Sequence, residues 1–229
     1  MTHFVLVHGC PGDARAWEPL APHLSSLDAL DLPDHGAEEV PSATVDDHVA
    51  HVVAAISRAS GPVVLVGHSY GAWVAGHAAA RAPDRVAKLV LLSGLADIVG
   101  DTAAGLVGFA EALEAGVLTP ETGTAIAAQR WLGSTPHAPD QVERIRQLLV
   151  TTGSTRLARQ LRRVVKAVSR VPRTTVPTRV VSIADDVAVP RALSEDLANV
   201  LGVPLEVWPG SNHFAHWVDP ALVARELAR

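Results

Sequence analysis

The sequence predicts an α/β protein whose doubly wound, mostly parallel six-stranded sheet carries an inserted helical cap. Apolar runs typical of buried strands recur along the 229 residues, and segments with helical periodicity alternate with them. Such alternation is typical of a sheet covered by helices on both faces. It breaks once, over residues 95–176, where helical segments follow one another without a strand between them. That interruption predicts the cap.

The predicted strands are short runs rich in valine, leucine and isoleucine, bounded by turn residues. Strands of a parallel sheet are buried on both faces, so they form continuous apolar runs rather than alternating ones. The six predicted strands cover residues 3–8, 27–32, 63–67, 86–93, 179–184 and 204–208.

The predicted helices fall into two groups. Thr44 is predicted to cap the helix over residues 45–58. Asp46 and Asp47 lie in the first turn of that helix, where the helix dipole favours carboxylates. Those that alternate with strands cover residues 14–24, 45–58, 72–81, 190–201 and 220–228. Those of the interruption cover residues 103–115, 120–131, 139–150 and 154–171.

The interruption predicts two parts of one chain. Residues 1–94 and 177–229 form the predicted core, and residues 95–176 form the predicted helical cap. An insertion at this point would cover the carboxyl edge of the sheet, where α/β proteins bind ligands. The alternative is an independent second domain, but sheet strands flank the segment on both sides, and this favours an insertion.

Composition excludes several classes of protein. Apolar residues make up 48% of the chain and charged residues 19%, which excludes a disordered chain. The net charge of −5 gives no overall attraction to nucleic acid or to a membrane. The lone Cys10 excludes an internal disulfide and fits a reducing compartment. We expect a cytoplasmic protein with a small-molecule substrate and no nucleic-acid or membrane partner; whether it forms a homodimer is left open.

The stretch GHSYG, residues 67–71, matches Gly-x-Ser-x-Gly between a predicted strand and a predicted helix. A sharp strand-to-helix turn brings backbone segments so close that side chains at Gly67 and Gly71 would clash. The turn would present the Ser69 hydroxyl above the sheet edge, at the positive end of a helix. Ser69 is therefore the candidate nucleophile; the alternative is a glycine-rich loop without chemical importance.

A serine nucleophile needs a base, and the base needs a carboxylate that orients it. After this motif the acid and the histidine are expected in that order, at the ends of late strands. Asp185 and Asp186 follow the fifth predicted strand, and His213 and His216 follow the sixth. The turn-rich PGSNH sequence favours His213 as the base, while both aspartates stay open as the orienting acid.

A tetrahedral intermediate needs two N–H donors for its oxygen. We expect them from the backbones of Tyr70, which follows the nucleophile, and of Cys10, in the HGCPG loop after the first strand. Pro11 has no N–H, and Gly9 lets the loop approach the substrate. A catalytic role for the Cys10 thiol is not expected, because a serine and a histidine are available.

Together these stretches resemble the α/β-hydrolase superfamily over essentially the whole chain. The resemblance implies a Ser-His-Asp triad. Its Asp-x-x-x-Pro pattern ending at Pro190 assigns the acid to Asp186, and its Gly-x-x-His spacing from Gly210 assigns the base to His213. The first ninety residues resemble most the small plant-type methylesterase and hydroxynitrile lyase group, which lacks the usual N-terminal hairpin.

Two departures from that group bear on the reaction. Phe214 follows His213 where the lyases carry a lysine, and Gly9 stands where they carry a threonine. Both departures favour hydrolysis over cyanohydrin chemistry. The expected function is hydrolysis of an ester or thioester of a small organic acid, with no metal or organic cofactor. The same triad also serves C–C hydrolysis, acyl transfer, cyclisation and lyase reactions, and a third alternative is a ligand-binding protein with little turnover.

The pocket and the cap provide weaker predictions. The aromatic residues predicted as pocket walls are Trp73, Phe109, Trp131 and Phe214. Arginines and a lysine recur at three- and four-residue steps from Arg156 to Arg170, which predicts a basic helix face. We interpret this face as a solvated surface; the alternative is that it steers an anionic substrate or docks an acidic carrier protein.

Overall fold

The computed structural model describes residues 2–133, 138–210 and 212–229. Its sheet has six strands in the order β2-β1-β3-β4-β5-β6, and every neighbouring pair is parallel. The strands are β1 Phe4–Val7, β2 Leu27–Leu30, β3 Val63–His68, β4 Val86–Leu92, β5 Thr178–Ile183 and β6 Leu205–Trp208. The predicted parallel six-stranded sheet is confirmed.

Helices cover the sheet and fill the interruption between β4 and β5. Those that alternate with strands are α1 Val45–Arg58, α2 Tyr70–Arg81, α7 Arg191–Leu201, the short α8 Ala215–Val218 and α9 Pro220–Ala228. Those between β4 and β5 are α3 Gly100–Glu114, α4 Pro120–Leu132, α5 Pro139–Thr152 and α6 Ser154–Val164. In the described part of the chain, none of the helices combines the length and the apolar character needed to cross a membrane.

Alternate residues of the central strands pack on opposite faces of the sheet. Val5 and Leu65 belong to an apolar cluster with α1 and α2, whereas Leu6 and Val66 belong to one with Trp17 and α9. This is the two-residue period of a strand, and both of its faces are buried. A separate apolar cluster contains residues of α3, α4, α5 and α6 together with Phe214, which directly precedes α8. The division of the chain into core and cap is not tested by these contacts and stays a prediction.

Two helices differ from their predictions. The segment Ala14–His23 is a 3-10 helix that contains Pro19 and Pro22, and prolines remove the N–H donors that an α-helix needs. Helix α6 ends at Val164 rather than at residue 171. The Ile98 N–H donates to the Ala167 carbonyl over 2.9 Å, and the Val171 N–H donates to the Ala96 carbonyl over 2.9 Å. These contacts replace helical hydrogen bonds, so only the folded chain ends α6 early.

The predicted solvated basic face is wrong for most of α6. Arg156 and Arg163 are buried, and the carboxylate of Asp34, which is also buried, accepts hydrogen bonds from Arg159 over 2.7 and 2.8 Å and from Arg163 over 2.9 Å. Burial raises the pKa of Asp34, but the hydrogen bonds from Arg159 and Arg163 outweigh this effect and lower the pKa to about 2. Arg156 donates to the Asp34 carbonyl over 3.1 Å. The arginines therefore tie the segment between β4 and β5 to the loop that follows β2.

Asp34→Asn is expected to lower the free energy of unfolding by about 3–5 kcal/mol, because two guanidinium groups lose the charge that compensates them. Asparagine preserves the shape of the side chain and tolerates the positive φ of 66° at this position. Urea denaturation measures the change. Glu39→Gln is the matched control, since it removes an exposed carboxylate from Arg159, and is expected to cost about 1 kcal/mol or less. Equal losses in the two variants would contradict the prediction.

Candidate active site

Ser69 lies between the end of β3 and the start of α2 in a strained backbone conformation. Its φ is 55° and its ψ is −123°. Such values cost a residue other than glycine roughly 1–3 kcal/mol and persist only where the surrounding structure imposes them. Serine is a favoured helix N-cap, yet the Ser69 side chain does not cap α2. Ser69 is instead a half-buried residue that lines a cavity of about 60 Å³.

Glycines make this turn feasible. A Cβ atom at Gly67 would overlap the Gly71 carbonyl, and one at Gly71 would overlap the carbonyls of Val7 and His8 at the end of β1. The start of α2 therefore packs directly on the strand that leads to the HGCPG loop. A Cβ atom at Gly9 in that loop would lie only 3.0 Å from the Cβ of Ser69. The loop and the serine are thus in close contact.

The carboxylate that the structure brings to His213 is that of Asp186. The Nδ1–H of His213 donates to Oδ2 of Asp186 over 2.7 Å. The other carboxylate oxygen, Oδ1, accepts from the backbone N–H groups of Ala188 and Val189 over 2.9 and 3.0 Å. Asp186 is buried, whereas Asp185 is exposed. The two backbone donors therefore fix the carboxylate so that one oxygen faces the imidazole.

Two further hydrogen bonds hold the backbone of His213. The buried ring of His68 donates from Nε2 to the His213 carbonyl over 2.9 Å. The His213 N–H donates to the carbonyl of Trp131, in the last turn of α4, over 2.8 Å. The orientation of the histidine thus depends on the strand below it and on a helix of the segment between β4 and β5.

His216 lies elsewhere in this cluster. Its ring is buried and stacks on Trp17 with centroids 4.5 Å apart, and it contacts the edge of His68. Among the described residues, none provides a hydrogen-bond partner for its Nε2 atom. Burial, followed by the charge of His213, lowers the pKa of His216 to about 3. These contacts make His216 a packing residue.

The cavity beside Ser69 is lined by His213, by both predicted oxyanion residues, Cys10 and Tyr70, and by two of the predicted aromatic walls, Trp131 and Phe214. Gly9 also lines it. The structure does not bring Trp73 and Phe109 to this cavity. Trp73 is buried against Tyr70 and donates to the Ser169 carbonyl over 2.7 Å, and Phe109 packs in the cluster between α3 and α6.

Histidines brace the loop that carries Cys10. The Nδ1–H of His8 donates to the Gly9 carbonyl over 2.7 Å, and its Nε2 accepts the N–H of Leu32 over 3.2 Å. The Nδ1–H of His35 donates to the Gly12 carbonyl over 2.8 Å. The sequence analysis missed these roles and that of His68. A signal was present, because His68 is the last residue of β3 and His8 directly follows β1, and the carboxyl ends of these parallel strands meet at the sheet edge.

Burial and charge set the ionisation of the neighbouring groups. Burial raises the pKa of Asp186, but the charge of His213 and the hydrogen bonds outweigh it and lower the pKa below its ordinary value. Burial raises the pKa of the Cys10 thiol to about 12, so the thiol stays neutral and is a poor nucleophile. Within the described residues, no group of three or more His, Cys, Asp or Glu side chains is arranged to hold a metal ion.

Buried histidines are expected to make the fold sensitive to acid. Burial is the main cause that lowers the pKa of His48 to about 4 and that of His216 to about 3, from 6.5. The unfolded chain therefore binds these protons first, and stability falls as the pH drops below 6.5. The loss should reach about 2 kcal/mol for each of the two histidines at pH 5.

Urea denaturation at pH 7.5 and at pH 5 measures this loss. His216→Phe retains a ring for stacking on Trp17 and is expected to reduce the difference between the two pH values by about 2 kcal/mol. His23→Gln, at an exposed position, should leave the difference unchanged. An undiminished difference in His216→Phe would count against the prediction.

The chain is similar to known proteins over nearly its whole length. The profile of a family described as "Alpha/beta hydrolase family" matches residues 4–226. The lipase LipV of Mycobacterium tuberculosis is 43% identical over 90 residues, which are 38% of this chain and 34% of LipV. The (E)-2-((N-methylformamido)methylene)succinate hydrolase of Acinetobacter baylyi is 30% identical over 148 residues, 62% of this chain and 55% of the hydrolase.

Similarity in structure extends further than similarity in sequence. A thermophilic esterase from Thermogutta terrifontis superposes with a TM-score of 0.81 at 22% identity, covering 100% of this chain and 88% of the esterase. The matched segments span only 34% of LipV and 55% of the succinate hydrolase. The sequence matches to these two relatives are thus partial, whereas the superposition on the esterase covers the whole of this chain.

Proposed function

Because this chain belongs to the alpha/beta hydrolase family, we propose that it hydrolyses an ester or thioester of a small organic acid through Ser69, His213 and Asp186. The observation that supports this most directly is the 2.7 Å hydrogen bond between Asp186 and His213, at a cavity that Ser69 also lines. The strained backbone of Ser69 is further support, since strain of this kind clusters at active sites.

In the proposed reaction His213 acts as base and then as acid. Its Nδ1–H is held by Asp186, so Nε2 takes the proton of the Ser69 hydroxyl while Oγ attacks the carbonyl carbon. The bond to the leaving group then breaks, and the Nε2 proton passes to the leaving oxygen or sulfur. Water attacks the resulting acyl-serine, His213 removes its proton, and the acid leaves as Oγ regains a proton. Asp186 stabilises the imidazolium without itself being protonated.

The N–H groups of Tyr70 and Cys10 are proposed to hold the oxyanion. Both residues line the cavity, and Tyr70 is the first residue of α2, where the helix dipole favours negative charge. Each donor of this kind is worth roughly 3–4 kcal/mol in the transition state. The hydrogen bonds from His8 and His35 to the carbonyls of Gly9 and Gly12 would keep the loop in place.

The name of one relative supports ester hydrolysis for this site, and that of the other supports hydrolysis without specifying an ester. LipV is named a lipase, and the Acinetobacter baylyi relative is named a hydrolase of a succinate derivative. The cavity of about 60 Å³ and its largely apolar lining favour a small acyl group. A neutral Cys10 thiol leaves Ser69 as the nucleophile of this cavity.

A fluorophosphonate probe tests the proposal directly. It reacts covalently with activated serines, and we expect it to label the wild-type chain at Ser69, as located by peptide mass spectrometry. Ser69→Ala should not be labelled, and His213→Gln should be labelled far more slowly. If the folded wild-type chain is not labelled, the enzyme proposal is overturned in favour of a ligand-binding protein with the same fold.

A further inference from the structure

Arg130 is the feature of the cavity that the proposed reaction does not use. It lies in the last turn of α4 and lines the same cavity as Ser69 and His213. Most of the other lining side chains are apolar, among them Leu95, Ile98 and Leu106. Of the described side chains around this cavity, Arg130 is the one with a fixed charge. A cation at the mouth of an apolar cavity attracts an anionic group of a ligand.

No carboxylate of the described residues lies within 4.0 Å of the Arg130 guanidinium, and this sets it apart from arginines nearby. A neighbouring cavity shares Gly9 and Phe214 with the first and is lined by Arg15 and Arg144. Arg15 is paired with Asp13 over 2.6 Å, and Arg144 with Glu18 over 3.7 Å. The α6 arginines are paired with Asp34 or, for Arg162, with Glu114. Arg130 therefore has its charge available for a ligand.

The backbone next to Arg130 is joined to that of the proposed base. Trp131, the next residue, accepts the hydrogen bond from the His213 backbone over 2.8 Å. The guanidinium passes over Gly105 of α3, where an added Cβ atom would lie 3.3 Å from it. The glycine thus leaves room for the arginine across the helix. Arg130 is an exposed residue, so its guanidinium lies at the solvent side of the cavity that it lines and is accessible to a ligand.

We infer that the substrate carries a carboxylate that Arg130 binds, so that the enzyme cleaves a monoester or monothioester of a small dicarboxylic acid. This inference rests on the proposed function of the same site. A guanidinium binds a carboxylate with two parallel hydrogen bonds, which orient the ligand as well as attract it. The ester carbonyl would then face Ser69 while the free carboxylate stays at the cavity mouth. An apolar wall between the two ends accommodates the connecting carbon chain.

Matched substrates test the inference through kcat/KM. The mono-p-nitrophenyl ester of adipic acid is compared with its neutral ω-amide, which has the same shape, and with shorter and longer linear homologues. The wild-type enzyme should prefer the anionic ester by about tenfold, the value of one charge-assisted contact at a partly exposed site. The preference should decrease at high salt and should peak at one chain length.

Variants separate the contact from general charge effects. Arg130→Gln should abolish the preference, mainly through a higher KM for the anionic ester, and should change kcat/KM for the ω-amide far less than kcat/KM for the anionic ester. Arg130→Lys should retain part of the preference. Arg81→Gln, at the far end of α2 from Ser69, removes the same charge and should retain the full preference. An unchanged preference in Arg130→Gln overturns the inference while hydrolysis by Ser69 stands.

Calorimetric titration tests the contact without turnover. Monomethyl adipate is titrated into Ser69→Ala and into the double variant that also carries Arg130→Gln. Binding about tenfold weaker in the double variant supports the inference. Identical titrations, including two without binding, overturn it whether or not the enzyme proposal holds.

Discussion

Ser69→Ala is expected to lower kcat/KM for p-nitrophenyl butyrate by roughly 10⁴- to 10⁶-fold, because the acyl-enzyme cannot form. What rate is left would come from the oxyanion donors and from binding, which the substitution does not touch. The cavity is otherwise unchanged, since alanine retains the Cβ atom that packs against Gly9. Spectrophotometric release of p-nitrophenol measures the effect.

The matched control for this variant is Ser57→Ala, at an exposed position of α1. It removes the same hydroxyl from the surface and should leave kcat/KM within about twofold of wild type, as distant surface substitutions do. Both variants should unfold at the urea concentration that unfolds wild type, or at a higher one. For Ser69→Ala the reason is that alanine retains the turn and removes a polar group. A Ser69→Ala enzyme within tenfold of wild type would exclude Ser69 as the nucleophile.

Asp186→Asn is expected to lower kcat by roughly 10⁴-fold, because it forces the wrong tautomer on His213. The Ala188 and Val189 N–H groups hold Oδ1 of Asp186, so an asparagine here would present its NH₂ group to Nδ1 of His213. That nitrogen would have to accept, and the proton would move to Nε2. An Nε2 that already carries a proton cannot take one from Ser69.

Asp185→Asn is the control for this effect, because it makes the same change one residue away at an exposed site. It should change kcat by less than about twofold. Fluorophosphonate labelling provides a second readout: the rate should fall in Asp186→Asn and stay normal in Asp185→Asn. Similar losses in the two variants would show that local charge, rather than the tautomer of His213, is what matters.

The elements that the sequence predicted well are those whose signals are local. Helix α1 extends from Val45 to Arg58, as predicted. The signal for its start is local, because Thr44 and Asp47, three positions apart, form a capping box. The strands were predicted within a few residues for a similar reason, since a buried strand shows a continuous apolar run. By contrast, the end of α6 depends on hydrogen bonds to residues 96 and 98, far away in sequence.

The same distinction applies to the candidate site. The motif around Ser69, the later aspartates and the histidine could be predicted from the sequence, because each of them follows a predicted strand. The position of Trp73 was not, because a helix residue near the serine can face the core as well as the pocket. Arg130 gave no local signal at all, since its relevance arises from a cavity formed by several segments.

The sequence by itself determined that the chain folds as a parallel α/β sheet and which residue types meet at its carboxyl edge. Apolar periodicity and turn glycines act over a few residues, so these patterns can be recognised in the sequence without knowledge of the fold. Only the tertiary structure decided that the α6 arginines bind Asp34 and that Arg130 lines the same cavity as Ser69 with no carboxylate of the described residues paired to it. It also placed Asp186, the acid that the family resemblance implies, against His213. Each of these depends on which distant backbone donors and charges are brought within hydrogen-bond distance, and this is fixed by packing.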